Sequence, residues 1–297
     1  MARAVTLNAS ELEARSAEWV GAASRLDRAL SELGLARSRS QAAELIASGA
    51  VVVDGSVATK AGVRVGPGAR LAVTSDRFVS RAAHKLDAAL DRFGIAASGR
   101  VALDLGASTG GFTQVLLDGG AETVLAIDVG HDQMVPELRT DPRVRLVEGC
   151  NARTLSAASL AEATGETRAP SLVVADLSFI SLTLILPAIA QVAGPDADLM
   201  LLIKPQFEVG RTGIREGIVI DAAQRATALR TVLASAAAHG FRAEHLDRSP
   251  ILGGHGNIEY LAHFVRDPGC DPTQWEGRVV ELASGQSETS TERADQG

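Results

Sequence analysis

Residues 101–112 read VALDLGASTGGF. Val101–Leu105 is apolar except for Asp104, as a buried strand requires, and the loop behind it is made of small residues. Gly106, Gly110 and Gly111 let the backbone approach a ligand closely, and a helix from about Phe112 to Leu117 opens on that loop. Strand, glycine turn and helix make the first unit of a doubly wound α/β sheet, which binds its ligand beyond the carboxyl ends of its strands.

The pattern repeats outward from there. Thr123–Val129, Arg143–Glu148, Leu172–Asp176, Leu199–Ile203, Glu244–Arg248 and Ile258–Val265 read as further strands, and Ala222–His239 as a long Ala-rich helix. Asp128 closes the second strand, 22 residues after Gly106, where an acid accepts both ribose hydroxyls of a nucleoside. Nicotinamide dehydrogenases share that much. Two details favour S-adenosylmethionine instead. The spacing is G-x-x-x-G-G, and Asp104 would repel a pyrophosphate but suit a ligand bearing an ammonium and a sulfonium. A tight turn with no ligand is the bland alternative.

Four ionisable residues stand out. Asp176 and Lys204 follow consecutive strands at their carboxyl ends, Glu259 sits at the start of the last strand, and Lys85 precedes the first. Each alone is equally well a surface charge or an ion partner. His84, His131 and His255 have no metal spacing with either cysteine, so no metal is expected.

Upstream, the chain changes character. Leu26, Ala29, Leu30 and Leu33 fall at helical spacing behind Ser24 as N-cap, and Gly34 stops that helix. Ser38 or Ser40 caps a second helix that ends at Gly49. Val51–Val53, Asp54-Gly55 and Val57 make a hairpin. Arg25, Arg28, Arg37 and Arg39 cluster where guanidinium forks would hold phosphates, although a solvated basic face reads the same way.

The 297 residues carry a net charge of −7. Residues 22–75 nevertheless hold seven Lys/Arg against four Asp/Glu, which suits a small module that binds a polyanion. Aromatics at 3% exclude rows of stacking platforms, and two cysteines 120 residues apart exclude a disulfide framework. The N-terminus carries Glu11, Glu13 and Glu18 and lacks an apolar core, so it is no export signal. Leu177–Pro195 is free of charge for 19 residues, but its polar residues and acidic flanks make it a buried helix rather than a membrane span. The polar, acidic end is expected to be disordered from about residue 285.

Resemblance sharpens these readings. RLDRAL…GLARSRSQAAELIASGAVVVDG looks like the S-four type RNA-binding domain, which implies structured ribosomal RNA as partner. Behind it, SRAAHKL, LDLGASTGGFT, DVG, VVADLSFISL, IKPQFEVG and GNIEY resemble, in order, the TlyA (hemolysin A) family of ribosomal RNA cytidine 2′-O-methyltransferases. The resemblance implies a Rossmann-like S-adenosylmethionine-dependent methyltransferase domain and a catalytic tetrad matching Lys85, Asp176, Lys204 and Glu259. Relatives often have SRGG or SRGA where this chain has Ser80-Arg81-Ala82-Ala83.

The expected organisation is an extension at 1–23, an RNA-binding domain at 24–75, a linker at 76–80, a methyltransferase domain at 81–268 and a C-terminal extension at 269–297. Gly106, Ala107, Ser108 and Gly110 would line the cofactor's methionine and ribose, with Asp104 near its amino group. Asp128 would hold the ribose hydroxyls, and Asn151 the adenine edge. Lys204 would be the base, Asp176 its orienting partner, and Lys85 and Glu259 would position the ribose and tune Lys204. An ordinary Lys, with a pKa of about 10.4, is mostly protonated; a second cation, burial and a sulfonium nearby favour the neutral amine. The segment Gly210–Val219 would face RNA. A cytoplasmic monomer acting on ribosomal subunits, away from membranes, is expected. A membrane-lytic protein and a non-catalytic ribosome-assembly factor are the competing classes.

Overall fold

A computed structural model describes residues 14–36, 38–47, 49–74, 78–210, 217–253, 256–267 and 271–285. The chain divides into two compact units, residues 1–77 and 78–297.

The first unit contains β1 (Ala14–Glu18), β2 (Ser24–Arg25), α1 (Leu26–Glu32), α2 (Arg39–Ala47), β3 (Val51–Val53), β4 (Ser56–Val57), β5 (Arg64–Val65) and β6 (Arg70–Thr74). Four strands form a sheet in the order β1-β6-β3-β4, and β2 pairs with β5. Leu26, Leu30, Ile46 and Leu71 are fully buried and form its core with Trp19. Each such Leu contributes roughly 1.5–3 kcal/mol by leaving water. Asp54 and Gly55 both have positive φ, +48° and +84°, as a two-residue hairpin turn requires.

Two expectations change here. Ser24 is not an N-cap: it lies in β2 opposite Val65, and Arg25 precedes the helix. The second helix does begin on Ser38, whose Oγ accepts from the Gln41 amide at 3.2 Å. Part of the presumed extension is also a built element. Ala14–Glu18 pairs along β6, and Trp19 is buried behind it.

The second unit contains α3 (Ala82–Phe93), β7 (Val101–Leu105), α4 (Gly111–Asp118), β8 (Thr123–Ile127), α5 (Pro136–Arg139), β9 (Val144–Val147), α6 (Ala157–Thr164), β10 (Leu172–Ala175), α7 (Leu186–Val192), β11 (Asp198–Ile203), α8 (Pro205–Glu208), α9 (Ala222–Ala238), β12 (Phe241–Arg248), β13 (Tyr260–Arg266) and α10 (Glu276–Ser284). The sheet order is β12-β13-β11-β10-β7-β8-β9. β7–β11 run parallel, and β13 is antiparallel to both of its neighbours. β7, β8 and β10 are buried throughout, with Leu103 and Leu105 packed in the core on one face and Ala102 on the other. The strand order reverses between β7 and β10, which opens a crevice at their carboxyl ends.

The charge-free stretch 177–195 is not one long helix. A loop leads into a single 3-10 turn at Leu182–Leu184, where the Ser181 hydroxyl accepts from the Thr183 amide, and then into the seven-residue α7. Pro187, lacking an N–H, fits the first turn of that helix and no interior position. Among the described residues no helix is long and apolar enough to cross a membrane.

The chain after β13 adds α10, which packs on α9. Arg225 and Arg248 donate to the final carbonyls of α10, at Ala283 and Leu282. The presumed C-terminal extension is therefore folded onto the domain in part. Arg37, His255, Cys270, residues 211–216 of the presumed RNA-facing loop and the acidic end at 286–297 lie outside the described residues.

Candidate active site

The glycine loop is held by its own backbone. The amides of Gly106 and Ala107 both donate to Ile127 O, at 2.9 and 3.2 Å, which ties the end of β7 to that of β8. Gly106 has φ +85°, and a Cβ there would meet Asp176 O at 3.0 Å; Gly110 has φ +98°, and a Cβ would strike Leu138. Both positions need glycine, for conformation and for space.

Asp128 stands just beyond β8. Its two carboxylate oxygens accept from the Ser108 and Gly130 amides, each at 2.7 Å. Lone pairs remain on both oxygens for a vicinal diol. Asn151 lies beside Asp128, next to Cys150, whose amide donates to Asp128 O at 2.9 Å, but the Asn151 Oδ1 already accepts from the Arg153 amide and caps a short turn. Asp104 is fully buried. Thr113 Oγ1 donates to its Oδ2 at 2.6 Å, and Oδ1 has no hydrogen-bond partner among the described residues. Burial pushes its carboxyl up to about 7, against the Thr113 hydrogen bond and aided by the charge of Asp176.

The four residues expected to form the tetrad come together from four elements: α3, the ends of β10 and β11, and the residue before β13. Lys85 Nζ lies 2.6 Å from Glu259 Oε2 and 3.9 Å from Asp176 Oδ2. Lys204 Nζ lies 2.6 Å from Asp176 Oδ1, a charge contact without hydrogen-bond alignment. Its aligned hydrogen bond goes to Ser178 Oγ at 2.9 Å. All four side chains are largely buried. Two ammonium groups and two carboxylates balance, so taking one proton from the cluster leaves it negative.

Two adjoining cavities share Gly106, Ser108, Asp176 and Ser178. The larger, about 580 Å³, extends to Asp128, Cys150 and Asn151; the smaller, about 220 Å³, extends to Lys204. Lys85 and Glu259 line neither and stand behind Asp176. A long ligand with a ribose at one end and its reacting centre near Lys204 fits this shape. The close glycine cradle suits the amino acid end of S-adenosylmethionine; the buried Asp104, with one oxygen unpartnered among the described residues, lines neither cavity.

The comparisons with known proteins agree with this geometry. The FtsJ-like methyltransferase family matches residues 78–266, and the S4 domain matches residues 24–71. The 16S/23S rRNA (cytidine-2′-O)-methyltransferase TlyA of Mycobacterium tuberculosis is 48% identical over 241 residues, covering 80% of this chain and 88% of that protein. The chain belongs to the TlyA branch of the FtsJ-like methyltransferases. Hemolysin A of Brachyspira hyodysenteriae is 39% identical over 243 residues, covering 81% of this chain and 99% of that protein. A solved structure of a Streptococcus thermophilus protein labelled a hemolysin superposes with a TM-score of 0.68 at 40% identity, covering 89% of this chain and 96% of that one.

In this TlyA family member the S4 unit carries the expected cations. Arg25 and Arg39 both donate to the buried Asp27, and Arg28 donates to Glu32. The Arg25 guanidinium, helped by Arg39, holds the Asp27 carboxyl at about 2. Sequence reasoning missed Asp27, Ser178 and Glu208. The first was visible inside RLDRAL. The other two sit within the quoted motifs, but their contacts join loops 26 residues apart in sequence, which spacing does not reveal.

Proposed function

We propose that this enzyme transfers a methyl group from S-adenosylmethionine to the ribose 2′-hydroxyl of a cytidine in 16S or 23S ribosomal RNA. The observation that carries the reading is the buried Lys85–Asp176–Lys204–Glu259 cluster, set beside the cavity that the glycine loop closes. S-adenosylmethionine supplies a methyl group already activated by its sulfonium. Gly106, Ala107 and Ser108 would line it, Asp104 would face its ammonium, Asp128 its ribose hydroxyls and Asn151 its adenine.

The protein's own tasks are alignment and removal of the hydroxyl proton. Lys204 faces the smaller cavity and accepts that proton. Asp176 stabilises the resulting ammonium, and the Lys85–Glu259 pair buttresses Asp176 from behind. This placement favours a supporting role for Lys85 and Glu259 over direct positioning of the ribose. The S4 unit would dock phosphates through Arg25, Arg28, Arg37 and Arg39, selecting assembled ribosomal subunits as substrate. In this reading the enzyme works as a monomer in the cytoplasm and needs no metal.

Tritiated methyl transfer to separated small and large subunits, with mapping of the labelled nucleotide, tests the reading. Label on a cytidine ribose supports it. Label on a base, or none on either subunit, overturns it and favours an assembly factor.

A further inference from the structure

The loops leaving β10 and β11 run side by side and are joined at three successive points. Lys204 Nζ donates to Ser178 Oγ, the Phe207 and Phe179 rings lie 5.3 Å apart, and the Glu208 carboxylate accepts from the Ser181 hydroxyl and, at 2.9 Å, from the Leu182 amide. Between the first and last of these contacts the chain is strained. Phe179 has φ +66°, a left-handed conformation unfavourable for a side chain of its size, and it is 91% exposed, so its own packing does not enforce that shape. The strain has an anchor on each side. On one, the Asp176 amide donates to Leu105 O at 3.3 Å; on the other stands Glu208.

We propose that Glu208 is a positioning residue that clamps the segment 177–182 and thereby holds Ser178 against Lys204, aiming the base at the ribose hydroxyl. The proposal rests on Lys204 being that base. Burial raises the Glu208 carboxyl above the usual carboxylate range, so the two donors that hold it there offset a desolvation cost. A Lys amine sits on a flexible four-carbon stem. Its contact with Asp176 supplies charge but no direction, and among the described residues Ser178 is its aligned hydrogen-bond partner. A proton-accepting lone pair has a direction. Without Ser178 the amine keeps its charge partner and loses its aim.

The test is single-turnover methyl transfer at saturating S-adenosylmethionine, in a double-mutant cycle. Ser178→Ala and Glu208→Leu should each slow transfer by about 10–100-fold. The double variant should be no slower than the slower single one, because both break the same link. Glu208→Gln retains an acceptor for the Leu182 amide and should recover most of the rate. Cofactor affinity by calorimetry should stay unchanged in the Glu208 variants, because Glu208 lines neither cavity. Should Glu208→Leu not fold, Ser181→Ala replaces it in the cycle. Losses that multiply, a wild-type rate in Glu208→Leu, or an equal loss of cofactor binding in Glu208→Leu would each overturn the clamp. A Lys204→Ala arm separates the two ideas. Activity there refutes the base itself, whereas an inactive Lys204→Ala beside fully active Ser178→Ala and Glu208→Leu refutes only the clamp.

Discussion

Asp27 in the first unit and Asp176 in the second each gather two basic side chains, Arg25 and Arg39 in one case, Lys85 and Lys204 in the other. The acids are similarly buried. The cations are not: the arginines are 54% and 59% exposed, the lysines 9% and 10%. Around Asp27 a hidden acid accepts from Arg25 Nε and Nη2 and from Arg39 Nη2, while both guanidinium side chains stay more than half exposed, an arrangement suited to phosphates. Around Asp176 both ammonium groups are withdrawn from water, where charge interactions are strong and one proton matters. Arg, which never gives up its proton, suits holding; Lys, which can, suits the proton transfer proposed for Lys204.

The comparison breaks most visibly in stability. Lys85→Met would leave Glu259, 2% exposed, without its cation, and should cost about 3–5 kcal/mol in urea unfolding. Arg28→Ala, which removes an exposed partner of Glu32, should hardly move the midpoint. Equal effects would show that burial does not separate a buried ion pair from an exposed one.

Asp104→Asn should come next. The folded-state carboxyl titrates near 7, above its unfolded value near 4, so its protonated form stabilises the fold below about pH 4, and that contribution is lost as pH rises through about 7. The Asn variant should therefore match wild type at pH 4 and exceed it by on the order of 2–4 kcal/mol at pH 8, while binding S-adenosylmethionine less well. A constant difference across that window would remove Asp104 as the cause.

Asp128→Ala should weaken S-adenosylmethionine by about 10–100-fold in calorimetry, with the RNA affinity unchanged. The smallest effect belongs to the exposed cations. Arg25→Ala or Arg39→Ala should weaken RNA binding a few-fold and reduce the salt slope by roughly one counterion each, with no effect on the cofactor. An unchanged slope would mean that these arginines meet no phosphate.

Much of this was legible before any coordinates. The strands around VALDL and LVVA and the glycine turn were readable because buried parallel strands are continuous apolar runs, and Asp176 and Lys204 stood out because ligands gather at carboxyl ends, whereas grouping these two with Lys85 and Glu259 came from the family resemblance. Long-range pairing was not. Ala14–Glu18 has no strong strand signature of its own and becomes a strand only against β6. Ser24 satisfies every local criterion for a helix cap, yet a strand at Arg64–Val65 claims it. The 19 uncharged residues at 177–195 suggested one helix, because apolar content does not register a strained loop held by Glu208 from another part of the chain.

The central claim is that Lys204 loses a proton to become the base, and Lys204→Arg tests it most directly. Arginine keeps the positive charge beside Asp176 but cannot act as a base at neutral pH. In single-turnover transfer with cofactor and RNA both bound, the account predicts no methylated cytidine above the uncatalysed background. Methyl transfer by the Arg variant at a rate near that of the wild type would contradict it.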